Sequence, residues 1–283
     1  MAASAHLIVT LSCPDRPGIV AAVSGAVCAI GCNIIQSQQF GDPETGLFFM
    51  RIELDAPGGE SAVREALDPA VREFSLDLRI ADQGRPARTI IMVSKEGHCL
   101  ADLLYRRDTH GLGIDPVAVV GNHPDLAPLA QFYSVPFLNI PVTVDTKDHA
   151  EQQLLDLVRS ENVELVVLAR YMQILSDRVC EELKGSVINI HHSFLPSFKG
   201  ARPYAQAHKR GVKLIGATAH YVTPDLDEGP IIEQDVTRVS HADSTREMVA
   251  LGQDVERRVL AQAVRWHTEH RVLLNGDRTV VFR

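Results

Sequence analysis

The chain has 283 residues, 45% hydrophobic and 23% charged, which is ordinary globular usage and excludes a disordered or fibrous protein. At roughly 150 residues per domain the length fits about two domains, each able to bury a core without a metal or disulfide staple. The 28 Lys and Arg against 36 Asp and Glu give a net charge of −8, which argues against a general nucleic-acid binder because phosphate affinity rests on basic side chains.

In chain order, residues 6–13 are rich in β-formers, and Pro14-Asp15-Arg16-Pro17-Gly18 is a turn cluster leading into an apolar, Ala-rich helix over 18–30. Asp15 is placed to cap that helix, Pro17 to sit in its first turn and Gly31 to end it. Residues 33–40 and 47–54 predict a hairpin. A second helix follows over 61–74 with Ser61 as its cap, and a last strand over 76–80. This βαββαβ order is the ferredoxin-like plan, one antiparallel sheet with two helices on one face. Residues 1–83 form this first domain and 84–88 a polar linker with Gly and Pro. From 89 to 283 the grammar changes. Apolar runs at 89–94, 116–121, 164–169 and 187–191 alternate with helical stretches at 99–107, 148–160 and 177–184, which predicts a mostly parallel, Rossmann-like sheet covered on both faces. In such sheets ligands bind beyond the carboxyl ends of the strands. Strands over 214–222 and 231–236, a long helix over 244–269 and a short hairpin over 271–283 complete this second domain.

Five cysteines, Cys13, Cys28, Cys32, Cys99 and Cys180, form no Cys-x-x-Cys pair and read as buried thiols in a reducing compartment. Residues 1–9 lack the pattern of a secretion signal. The longest mostly apolar run, 18–30, is shorter than the roughly 20 residues needed to span a bilayer. The expectation is a cytoplasmic protein with no membrane segment. Twelve histidines are present, but no His-x-x-x-His with an acid partner, so no metal is expected.

The densest polar cluster is Asn189-Ile190-His191-His192-Ser193, at the end of a predicted buried strand. Residues two apart share a strand face, which puts Asn189 and His191 about 6–7 Å apart. An amide donor and an imidazole around one small space suit a carbonyl that becomes tetrahedral. A helix cap with a structural histidine fits the same spacing. Asp225-Leu226-Asp227-Glu228-Gly229-Pro230, between two strands, could deliver a carboxylate beside His191 to orient it or to activate water; a solvated hairpin turn fits equally.

The segments Asn189-Ile190-His191-His192-Ser193-Phe194-Leu195-Pro196-Ser197-Phe198-Lys199-Gly200 and Asp227-Glu228-Gly229-Pro230-Ile231-Ile232 resemble the signatures of the folate-dependent formyltransferase fold. The resemblance implies that Asn189 and His191 hold and polarise a formyl group and that Asp227 is the carboxylate paired with His191. Ala169-Arg170-Tyr171-Met172-Gln173-Ile174-Leu175 resembles the segment that lines the pterin pocket. That points to Met172, Gln173, Ile174 and Leu175 as substrate contacts, with Thr223 and Asp225 on a loop that closes over the same ring. Gln173 departs from the Arg usual in the transformylases. Without the resemblance, Met172, Ile174 and Leu175 would read as core.

Glycinamide ribonucleotide transformylases follow their first strand with a loop that cradles a phosphate. Here the stretch is Val93-Ser94-Lys95-Glu96-Gly97-His98-Cys99-Leu100, where Glu96 would repel one. Asp15-Arg16-Pro17-Gly18-Ile19-Val20 resembles the opening of an ACT domain, whose effector, usually an amino acid, would be held near Asp15, Gly18 and Asn33; a turn and cap with no ligand also fits. His192, Phe194 and the run from Lys213 to Tyr221 suit the deformylase branch. End to end the chain resembles the formyltetrahydrofolate deformylases. That resemblance implies hydrolysis of 10-formyltetrahydrofolate to tetrahydrofolate and formate, which would feed formate-using purine synthesis. Folate is then the substrate, water the acceptor, and no cofactor is needed. A symmetric homodimer or homotetramer through the ACT sheets is expected. Two alternatives stay open: a formyltransferase acting on an unrecognised amine, and a non-catalytic folate or amino-acid sensor.

Overall fold

The computed structural model describes residues 5–193 and 203–283. They divide into two units, one running to Arg85 and taking in Glu269–Arg283, the other Pro86–Thr268.

In the first unit β1 (Ala5–Pro14), β2 (Asn33–Asp42), β3 (Leu47–Ala56) and β4 (Asp77–Asp82) make an antiparallel sheet in the order β2-β3-β1-β4. Two helices, α1 (Ile19–Ala29) and α2 (Gly59–Phe74), supply the rest of the expected βαββαβ order. Strand period and helix period meet in one core: Leu7, Val9 and Leu11 alternate along β1 and pack with Val23 and Val27 of α1 and Val63 and Leu67 of α2. The helix starts differ from expectation. Helix α1 begins only at Ile19, capped by Gly18 at φ 103°, a conformation open to glycine. Asp15 and Pro17 therefore lie in the preceding turn, where Asp15 N–H bonds the Gly46 carbonyl. Helix α2 begins at Gly59, which places Ser61 inside the first turn rather than at the cap. Cys28 is exposed, whereas the other four cysteines are buried, as expected.

The second unit is built on a seven-stranded sheet. In chain order its elements are β5 (Ala87–Val93), α3 (His98–His110), β6 (Ile114–Gly121), α4 (Ala127–Phe132), β7 (Phe137–Asn139), α5 (Lys147–Ser160), β8 (Leu165–Leu168), α6 (Asp177–Glu182), β9 (Val187–His191), α7 (Pro203–Arg210), β10 (Leu214–Tyr221), β11 (Ile231–Arg238) and α8 (Thr245–Thr268). The strand order is β11-β10-β9-β8-β5-β6-β7. Strands β9, β8, β5, β6 and β7 run parallel, and β10 and β11 close one side antiparallel. Short α4 and β7 were not legible in the sequence because six and three residues are too few to set a hydrophobic period.

The tail departs from the expected domain division. Its predicted hairpin is present as β12 (Val272–Asn275) and β13 (Arg278–Val281), but it belongs to the first unit. Asn275 Nδ2 donates to the buried Asp42 at 2.6 Å, and Arg51, 1% exposed, donates through Nε and an Nη to the Glu269 carbonyl at 3.2 and 3.1 Å. These partners are long-range and polar, so no local pattern announces them. No helix among the described residues is long and apolar enough to cross a membrane.

Leu67, fully buried between α2 and the first sheet, is the position at which to test this core. Leu67→Ala should lower unfolding stability by about 2–5 kcal/mol, measured by chemical denaturation followed by circular dichroism.

Candidate active site

Three parallel strands end at one edge of the second sheet, and the residues at and after their ends build the site: Ser94 after β5, the irregular segment from Ala169 after β8, and His191 and His192 at the end of β9. Along β9 the residues alternate, with Ile188 and Ile190 buried and Asn189 and His191 partly open. Asn189 and His191 thus share the face that lines a cavity of about 240 Å3.

Antiparallel pairing sets what stands beside them. Register places His220 of β10 opposite Asn189 and Thr218 opposite His191. His220 is 2% exposed. Its Nδ1 lies 2.9 Å from the Tyr221 carbonyl, which can only accept, so Nδ1 carries the hydrogen. Burial lowers the His220 pKa more than that bond and Asp227 raise it. The neutral ring then offers a bare Nε2, 3.3 Å from Asn189 Nδ2, to accept one amide N–H. Among the described residues the other amide hydrogen has no partner, which leaves it open to a ligand oxygen.

The loop after β10 folds back so that Asp227 Oδ2 lies 3.2 Å from His191 Nδ1. A carboxylate there takes the Nδ1 hydrogen and leaves Nε2 as the working edge of the ring. Burial raises the Asp227 pKa, but the hydrogen bond from His191 and the electrostatic pull of that ring lead the effects that outweigh it, and the net shift is downward. Asp227 has φ 57°, a left-handed conformation that Asp tolerates better than most residues. Gly229 explains how the loop sits so close: a Cβ there would stand 1.8 Å from the Tyr221 carbonyl oxygen.

The expected substrate residues divide. Met172, Gln173, Ile174, Leu175 and Thr223 all line the cavity. Met172 and Ile174 are each 58% exposed, which excludes the reading of them as core; Leu175 is buried among the core residues of this unit. Asp225 shapes the loop through its backbone, its carbonyl accepting from Thr223 Oγ1 at 3.1 Å and from Glu228 N at 3.3 Å. Two side chains that sequence reasoning missed pin the irregular wall by its backbone. Ser94 Oγ accepts from Met172 N at 3.0 Å, and the buried Glu151 accepts from Ser176 N at 2.8 Å. A serine after a strand and a glutamate amid the apolar positions of α5 were the available signals. Residues 194–202, which carry Phe194 and the Leu195-Pro196-Ser197-Phe198-Lys199-Gly200 part of the motif, lie outside the described residues.

In the first unit Asp15 and Gly18 border one open depression together with Arg16, Pro17 and Phe48. Arg16 is tied down there, donating to the Glu73 carbonyl with its guanidinium 4.4 Å from the centre of the Phe74 ring. Asn33 stands apart, at the start of β2 and paired with Asp55.

Among the described residues, one group has the ligand types of a metal site, His98, Cys99 and Glu256. It fits a cation poorly. Burial pushes the Cys99 thiol pKa well up, the Glu256 oxygens already accept from His98 and Tyr204, and the Arg170 guanidinium lies 3.5 Å away.

Gly229→Ala should push the Asp227 loop away from the Tyr221 carbonyl. Turnover should fall by ~100-fold, the scale of a small misplacement of a reacting group, while the circular dichroism spectrum stays unchanged.

Comparison with known proteins agrees with this architecture. A formyl transferase family model matches residues 87–264, and an ACT domain model matches residues 5–81. The chain is 48% identical to the formyltetrahydrofolate deformylase of Corynebacterium sp. (strain P-1), covering 98% of each chain. It is 51% identical to that of Mycobacterium tuberculosis (strain ATCC 25618 / H37Rv), over 96% of this chain and 89% of the relative. The crystal structure of the formyltetrahydrofolate deformylase from Burkholderia mallei ATCC 23344 superposes with a TM-score of 0.95 at 49% identity, covering 99% of this chain and 100% of that one. With an ACT domain ahead of a formyl transferase domain and this likeness along nearly its whole length, the chain belongs to the formyltetrahydrofolate deformylase family.

Proposed function

We propose that the protein hydrolyses 10-formyltetrahydrofolate to tetrahydrofolate and formate, with Asn189, His191 and Asp227 as the reacting constellation. The observation that carries the assignment of roles is the His191–Asp227 pair at 3.2 Å, on the wall of the cavity that Asn189 shares. Asn189 donates its free amide hydrogen to the formyl oxygen and stabilises the charge that develops there. His191, held at Nδ1 by Asp227, works through Nε2 as the proton carrier.

Water adds through its oxygen to the formyl carbon. The bond from that carbon to N10 then breaks, its electron pair going to nitrogen. One proton of the water ends on N10, carried there by His191. The other leaves with formic acid, which ionises in solution. In this reading the folate is the substrate, water the acceptor, and neither metal nor organic cofactor takes part. Met172 and Ile174, exposed apolar side chains at the cavity wall, suit the flat face of a pterin, with Gln173, Leu175, Thr223 and the Asp225 turn completing its surroundings. The position of Glu96 after β5 favours an uncharged acceptor over a phosphorylated one. An amino-acid effector at the depression bordered by Asp15 and Gly18 of the ACT domain, without Asn33, and a symmetric homo-oligomer complete the proposal.

Purified protein should release formate and tetrahydrofolate in equal amounts from 10-formyltetrahydrofolate with no amine present. His191→Ala should abolish release, and Asp227→Asn should reduce turnover ~100-fold, the scale of a lost general base or its partner, with folate binding kept. Turnover only after an amine is added would make the protein a transferase, and binding with no turnover would make it a sensor.

A further inference from the structure

Hydrolysis by these three residues leaves unused a buried polar cluster adjoining the cavity. Glu256 on α8 is 1% exposed. It accepts from His98 Nε2 at 2.8 Å and from the Tyr204 hydroxyl at 2.7 Å. Burial raises its pKa, but the bond from His98, the charge of Arg170 and the bond from Tyr204 outweigh this and hold it ionised below the usual carboxylate range. Arg170 lies between this carboxylate, 3.5 Å from its Nε, and Glu96, to which it donates at 3.3 Å. Arg170 is itself buried and has φ 64°, an unfavourable conformation for a non-glycine residue that persists only where surrounding contacts over-determine it.

Among the described residues its remaining partner is His192, to whose Nδ1 Arg170 donates through a terminal nitrogen. A guanidinium has donors only, so His192 Nδ1 is a bare acceptor. A neutral imidazole in that state carries its hydrogen on Nε2, at the opposite edge of the ring. Burial, then the charges of Arg170 and His191, push the His192 pKa down to about 4, against weaker upward effects of Glu256 and Glu96. The ring lies against that of His191, centroids 5.2 Å apart and planes 17° from parallel, and both line the cavity. The Tyr204 ring centroid is 6.4 Å from that of His192.

We propose that Arg170, anchored by Glu256 and Glu96, fixes His192 as an Nε2–H donor that docks the attacking water beside His191; the inference rests on the hydrolytic reading of the site. Donation to the water oxygen occupies one lone pair and leaves the second for the formyl carbon, while both water hydrogens stay available to His191. An amine nitrogen has a single lone pair, and a donor fixed at the same point would engage the pair needed for attack. The lock therefore selects water over an amine. His192 is a donor throughout and never the base, and Arg170 and Glu256 are positioning residues.

The first test needs no variant to turn over. In wild-type protein carrying 15N-labelled histidine, the His192 resonances should report a protonated Nε2 and a bare Nδ1 at neutral pH, assigned by their loss in His192→Gln. Kinetics supply the second. His192→Gln, whose amide can accept from Arg170 and donate to water, should retain most of the turnover. His192→Phe, which keeps the stacked ring alone, should lose ~100-fold in kcat, the scale of a misplaced reactant, at unchanged KM for the folate. Arg170→Met should give mixed His192 tautomers and a similar loss, and Arg170→Lys should restore both. A protonated Nδ1 on wild-type His192, or wild-type turnover in His192→Phe, overturns the proposal. Tetrahydrofolate release that occurs only with an amine present, the formyl group passing to that amine and no formate appearing, overturns the hydrolytic reading and the docked water with it, while the tautomer lock is judged separately by the resonances.

Discussion

The antiparallel seam between β9 and β10 is the constraint on which the rest of the site depends. A strand register is all-or-none, since a slip of one residue turns every side chain to the opposite face. Here the register sets His220 against Asn189, and the Tyr221 carbonyl then fixes which His220 nitrogen holds the hydrogen. That in turn decides which way the Asn189 amide faces. The same carbonyl is the surface against which Gly229 seats, so one backbone oxygen sets both the amide orientation on β9 and the approach of the loop that carries Asp227.

The imidazoles of the site are each set by a different partner, and the partners divide the chemistry. His220 gives its Nδ1 hydrogen to a carbonyl and is left an acceptor. His191 gives its Nδ1 hydrogen to a carboxylate, which fixes Nε2 as the open edge of the ring. His192 faces a guanidinium, which opposes such charge. Three rings of one residue type thus have three electrostatic environments within a few residues of sheet. Separating the roles of like groups by their surroundings is the general way a site obtains an acid–base group and a fixed dipole from the same side chain.

The strands and helices that carry a repeating pattern were legible in the sequence, and Asn189, His191 and Asp227, singled out there, stand together on one cavity wall. β9 has the boundaries expected of it, because three β-branched residues among five, followed by a polar cluster, are a strong local signal. Asn189 and His191 share a face because strand alternation requires it. The contribution of His220 was not legible, since it depends on a cross-strand register that no local pattern encodes. Arg170 and Glu256 were hidden for a related reason: they are 86 positions apart in the chain, and an isolated charge on a long helix reads as a solvated face until the fold buries it. Met172 and Ile174 were ambiguous between core and site because hydrophobicity is the same signal for both; exposure at a cavity wall separates them.

The first unit is assembled from two stretches of chain separated by the whole of Pro86–Thr268. During synthesis its four-stranded sheet leaves the ribosome early, but Glu269 and Asn275, whose backbone and side chain satisfy Arg51 and Asp42, emerge only after the catalytic unit has been made. Until then a guanidinium and a carboxylate meant for a dry environment must stay hydrated. A nascent chain therefore completes its ACT unit last, and the formyl transferase unit is already in existence when the sheet made first becomes whole.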